Sequence, residues 1–133
     1  MKPVLQTEFG SVGNCYSACL ASLLEIDISE VPNFYGSTPS AQEGSDKADA
    51  WLADRGLRVS IYDWPLNGTL ESVVEGGIYI FSGRSPRLDV CHAVIGKVFN
   101  GEYCLLHDPH HDAHGLVGNP LYIDVLYPLE GSK

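Results

Sequence analysis

Gly13-Asn14-Cys15-Tyr16-Ser17-Ala18-Cys19 is a loop running into a helix, and the reading of this stretch organises the rest of the chain. Small or apolar residues follow at Cys15, Ala18, Cys19, Ser22, Leu23 and Ile26, the spacing of one helical face. Asn14 suits the N-cap, where its side chain is expected to accept from the free amides ahead. Val31-Pro32-Asn33-Phe34 breaks the pattern. A thiol one residue past the cap lies where unpaired amides and the helix dipole favour its anion. Such settings, with a cationic neighbour, bring a cysteine from about 8.5 to roughly 3.5–7.5. Gly13 lets backbone come close to a bound group, and the Cys15 amide is a candidate donor to an oxyanion.

Working outward, a second helix is predicted over Ser45 to Arg55, with Ala48, Trp51 and Leu52 inward and Gly56 as its stop. Leu57 to Tyr62 alternates like a strand, and Gly77 to Phe81 reads as a buried one. Thr69 to Glu75 is expected to form a helical turn. His92 to Val98, the dipeptide Asn100-Gly101 and Tyr103 to His107 make the clearest hairpin, and Leu121 to Leu126 is the last strand. Helices first and an antiparallel sheet after them predict an α+β fold, in a single domain over residues 1–133.

Composition narrows the function. The net charge is −9, from 17 acidic and 8 basic residues, which argues against nucleic acid as a partner. No apolar run is long enough for a membrane span, so no membrane partner is expected. Residues 1–6 lack the apolar core of a secretory signal, which makes the cytoplasm the expected location. In that setting the four cysteines, Cys15, Cys19, Cys91 and Cys104, are expected to be free thiols. Cys19, Cys91 and Cys104 read as packing residues.

A reactive thiol needs a base. His92 opens a strand, so its ring can project from the sheet toward a helix packed there. Asp108 follows the partner strand, and the hairpin register decides whether the two meet. A strict two-residue turn at Asn100-Gly101 sets position 92 opposite 109 and sends Asp108 to the wrong face. A three-residue loop over Phe99-Asn100-Gly101, with Gly101 in a left-handed bulge, sets 92 opposite 108. The bulged hairpin is therefore the expectation, with Asp108 orienting the imidazole of His92.

Gln6, the Gly13 to Cys19 stretch, Cys91-His92-Ala93-Val94 and His107-Asp108-Pro109 together resemble the papain-like cysteine peptidase superfamily. The resemblance is closest to small bacterial and phage members, including the C39-like peptidases. It implies a papain-like domain whose N-terminal nucleophile helix packs on an antiparallel sheet. It further implies a nucleophile at Cys15, a general base at His92, an orienting acid at Asp108 and an oxyanion-hole donor at Gln6. The expected activity is cysteine hydrolysis of a peptide, isopeptide or related amide bond through a thioacyl intermediate. The expected partner is a peptide or protein substrate, or a small amide. Deamidation or acyl transfer would use the same residues, and a non-catalytic binding or inhibitory protein on the same scaffold is the alternative from another class. Residues 33–45, 64–68, 83–90 and 109–120 are the loops expected to set specificity.

The run His107-Asp108-Pro109-His110-His111-Asp112-Ala113-His114 raises a rival reading. On a helix, His110 and His114 could bind a metal, with His107 or Asp112 as a third ligand. Pro109, Gly115, Gly118 and Pro120 favour a loop instead, with histidines lining a cleft. The expectation is accordingly no metal and no cofactor.

Overall fold

The computed structural model describes residues 1–36, 40–87 and 90–129. Its elements in chain order are α1 (Cys15–Leu24), α2 (Ala41–Ala53), β1 (Leu57–Asp63), β2 (Ile78–Arg84), β3 (Cys91–Phe99), β4 (Glu102–His107) and β5 (Val117–Pro128). Short 3-10 turns at Gly10–Val12 and Ile28–Glu30 flank α1. The five strands form one sheet in the order β1-β5-β2-β3-β4, with every neighbouring pair antiparallel. The α+β layout expected from the sequence is present. The segment from Thr69 to Glu75 forms turns rather than a helix.

Both helices lie on one face of the sheet. Cys19, Leu20 and Ala21 of α1 and Ala48 and Leu52 of α2 close over Ile80, Ala93 and Ile95. The middle of α1 is buried from Ser17 through Ser22, not along one stripe alone. A helix enclosed on most sides carries small residues all round, which weakens the one-face pattern read from its sequence. Helix α2 starts one turn earlier than predicted, because the Ser40 hydroxyl accepts from the amide of Glu43 and caps it. On the opposite face, Phe81, Val94, Val98, Ile123 and Val125 pack beneath Trp64, Leu66, Val73 and Leu116. Trp64 and Phe34 are packing residues. Trp64 meets Phe81 at 5.2 Å between ring centres, and Phe34 meets Trp51 at 5.9 Å.

The hairpin corrects one expectation. The β3–β4 connection is the tight two-residue turn, with Phe99 opposite Glu102. Asn100 (φ 53°) and Gly101 (φ 74°) are both left-handed, the geometry that matches strand twist. Such a turn alone would send Asp108 to the helix-covered face. The register shifts instead within β4, where Gly96 faces Leu105 but Ile95 faces His107. Leu106 is the extra residue of a bulge, and it flips the facing of everything after it. Carried past the end of the ladder, the new register places Asp108 on the face of Val94 and His92. His107 turns to the helix side, where its Nε2 meets the Val4 carbonyl at 2.8 Å.

Candidate active site

The site lies where β4 peels away from β3. By the alternation of the ladder, the amide of Ala93 points toward the β4 side, but pairing there ends at Ile95. The start of α1 fills the gap, and the Ala93 amide donates to Cys15 Sγ at 3.4 Å. Cys15 is half-buried at the first position of the helix and its thiol is free. The same sulfur lies close enough to the His92 ring to help it hold its proton.

His92 is buried, with Nε2 2.6 Å from Asp108 Oδ1. Asp108 is equally enclosed. Its Oδ1 also accepts from the His110 amide at 2.9 Å, and its Oδ2 accepts from the Gly115 amide at 2.7 Å. The first of these backbone contacts is an Asx turn, so the strand-ending role of Asp-Pro and the pairing with His92 coexist. Burial works against charge on both members of the pair. For His92 that effect is outweighed by the hydrogen bonds to Asp108 and Cys15 and by their negative charge, which raise its pKa to about 9. For Asp108, burial is likewise outweighed by the donors from His92, His110 and Gly115, which hold it below the usual carboxylate value. The arrangement is an imidazolium held between a thiol and a carboxylate, able to deliver a proton beside the sulfur.

Gln6 lies against the same turn. Its backbone amide donates to the Pro109 carbonyl at 2.9 Å, tying the N-terminal segment to the loop after β4. Its Nε2 donates to the Glu8 carbonyl at 2.8 Å, which fixes the orientation of the amide. Gln6 Oε1 is buried and without a hydrogen-bond partner among the described residues. A Cβ added at Gly13 would stand 3.0 Å from the Gly10 carbonyl and 3.6 Å from Gln6 Nε2. A side chain at position 13 would therefore crowd the carbonyls of the chain's own turn.

Asn14 departs from its predicted role. Its side chain does not cap α1. Asn14 Oδ1 accepts from the amides of Thr7 and Glu8, both at 2.9 Å, and Nδ2 donates to the Thr7 hydroxyl at 2.9 Å. The residue thus faces backwards, lashing the Gln6–Glu8 segment to the start of the helix and leaving the forward amides free.

Of the other cysteines, Cys19 is fully buried, and burial pushes its thiol well above the ordinary value. Cys91 and Cys104 are exposed rather than packed, since each stands on a solvent-facing position of its strand. The histidine-rich run is a turn, with Ala113 at φ 56°, rather than a helix. His110 Nδ1 accepts from the Asp112 amide at 3.2 Å, and the Asp112 carboxylate pairs with Arg87 at 2.7 Å. Among the described residues, no three His, Cys, Asp or Glu side chains are grouped to hold a metal ion. No described helix is long and apolar enough to cross a membrane. Positions 37–39 and 88–89 of the expected specificity loops lie outside the described residues.

Asp124 went unnoticed in the sequence. It is buried in the centre of the sheet between Ile61 and Ile80, with Tyr16 near enough to affect its charge. A lone carboxylate inside the apolar run Leu121 to Leu126 was the available signal. Comparison with known proteins finds no matching family model, no matching curated protein and no matching solved structure. The site's own geometry is therefore what carries the functional argument.

Proposed function

We propose that this protein is a papain-like cysteine hydrolase acting on a peptide, isopeptide or related amide bond. The observation that carries the reading is the buried His92, which lies beside Cys15 and 2.6 Å from Asp108. With His92 raised to about 9, the ring carries its proton near neutrality, and the proposed attacking species is the Cys15 thiolate beside it. The Cys15 sulfur attacks the acyl carbon and forms the C–S bond. The carbonyl oxygen becomes an oxyanion, for which the Cys15 amide and the remaining Nε2 proton of Gln6 are the proposed donors. Collapse breaks the C–N bond while His92 gives its proton to the departing amine. His92 then takes a proton from water, whose oxygen attacks the thioester. The acid leaves, and the thiolate and the protonated ring are restored. Asp108 holds the ring orientation throughout.

Deamidation and acyl transfer follow the same steps with a different leaving group or acceptor. The free thiols suit a reducing compartment, and the cytoplasm is the proposed setting. The deciding experiment is alkylation by iodoacetamide near neutral pH, with the modified residue located by mass spectrometry. Fast modification at Cys15 that is lost in His92→Ala supports the pair. Slow and equal modification of both proteins would instead make this a non-catalytic binding module on the same scaffold.

A further inference from the structure

Three rings line one side of the site and are not used by the mechanism above. Phe9, on the segment leading into Cys15, is 42% exposed. Its ring stands edge-on to His110 at 5.1 Å and to His111 at 5.6 Å. His110 and His111 stack at 4.5 Å with an interplanar angle of 27°, and His110 lies 6.4 Å from the His92 ring. The cluster therefore runs without a break from His92 out to the exposed His111.

The shelf is anchored from several sides. The His110 amide is held by Asp108, its Nδ1 by the Asp112 amide, and Asp112 by Arg87. Pro109 is held by the Gln6 amide, and the Phe9 side is held through Asn14. Burial and the charge of Arg87 lower the His110 pKa, so this ring is neutral at pH 7 and presents an uncharged face. A cluster of rings that starts at His92 and opens to solvent at Phe9 and His111 favours a planar apolar group, which can meet the rings stacked or edge-on, over a purely aliphatic one.

We propose that Phe9, His110 and His111 form a specificity subsite that receives an aromatic or similarly planar apolar group next to the bond attacked by Cys15. The inference rests on the reading of Cys15 as a nucleophile, and its test separates the two. Cys15 is modified with N-benzyl chloroacetamide and with N-methyl chloroacetamide, each rate being divided by that reagent's rate with free glutathione. The expected result is a benzyl preference of about tenfold in the unaltered protein. That ratio should fall to near one in Phe9→Ala and in His111→Ala, the second of which alters only an exposed side chain. A purely structural role for the rings lowers both rates together and leaves the ratio intact, which overturns the subsite. Equal normalised rates in the unaltered protein overturn it as well, while leaving the nucleophile standing. If neither reagent modifies Cys15 faster than glutathione, the nucleophile and the subsite fall together.

Discussion

Asp108 and Asp124 are buried to nearly the same depth, 5% and 6% exposed, yet they are driven in opposite directions. Asp108 receives the His92 ring and the amides of His110 and Gly115, and it stays below the ordinary carboxylate value. For Asp124, burial dominates and the Tyr16 hydroxyl opposes it only in part, so its pKa rises to about 7. Burial sets the cost of a charge; the number and kind of donors decide whether that cost is met. One end of the sheet keeps an ion pair, and its centre keeps a carboxylic acid close to neutral.

The sharpest way to break this contrast is to remove the charge facing Asp108. His92→Ala should slow turnover of a chromogenic amide or thioester substrate by about a thousandfold, with Asp124→Asn as the control carboxylate change. Activity in the unaltered protein should alter as pH climbs through about 9, where His92 gives up its proton. A pH profile of Cys15 alkylation reads the same step.

Next in size is the pH dependence of stability. Below about pH 4 Asp124 is protonated in both the folded and the unfolded chain, and it exacts no penalty. Between about 4 and 7 the unfolded chain ionises first, so stability drains away until the folded value of about 7 is passed. The loss from this residue reaches about 4 kcal/mol. Asp124→Asn should flatten that slope, as measured by urea unfolding at pH 5 and pH 8. Asp108 has the opposite sign: its contribution is present above the unfolded value of about 4 and is lost as pH falls through the lowered folded one.

Asp108→Ala should destabilise the fold by about 3 kcal/mol, because it strands a protonated ring and the amides of His110 and Gly115. Asp108→Asn keeps an acceptor and should cost less, which denaturant midpoints would resolve. The smallest effect is expected from Asn14→Ala, about 1 kcal/mol from the lost tie to Thr7 and Glu8. If Asn14 acted instead as a forward cap, the variant would lower α1 helicity and leave hydrogen exchange at Thr7 and Glu8 untouched.

Much of the site was legible in the residues. The helix start at Cys15, the strand opening at His92 and the Asp-Pro after β4 are local features, written in spacing and turn chemistry within a few positions. The hairpin turn was legible too, although the preferred loop length was not the one formed. Asn14 was misread because cap preference speaks of the amides ahead, while Thr7 and Glu8, brought back by the fold, compete for the same oxygen. Asp124 was passed over because one carboxylate in an apolar strand has no partner visible at short range.

By itself, the sequence determined that α1 begins at a thiol, that the later chain makes antiparallel strands, and that Asn100-Gly101 turns between two of them. Only the tertiary structure decided that Leu106 bulges, that β5 enters the sheet between β1 and β2, and that Asp108 therefore faces His92. The physical reason is range. Propensity, capping and turn type act over a few bonds, whereas side-chain facing in a sheet changes with a single extra residue. That residue is accommodated only when the packing on both faces is settled together.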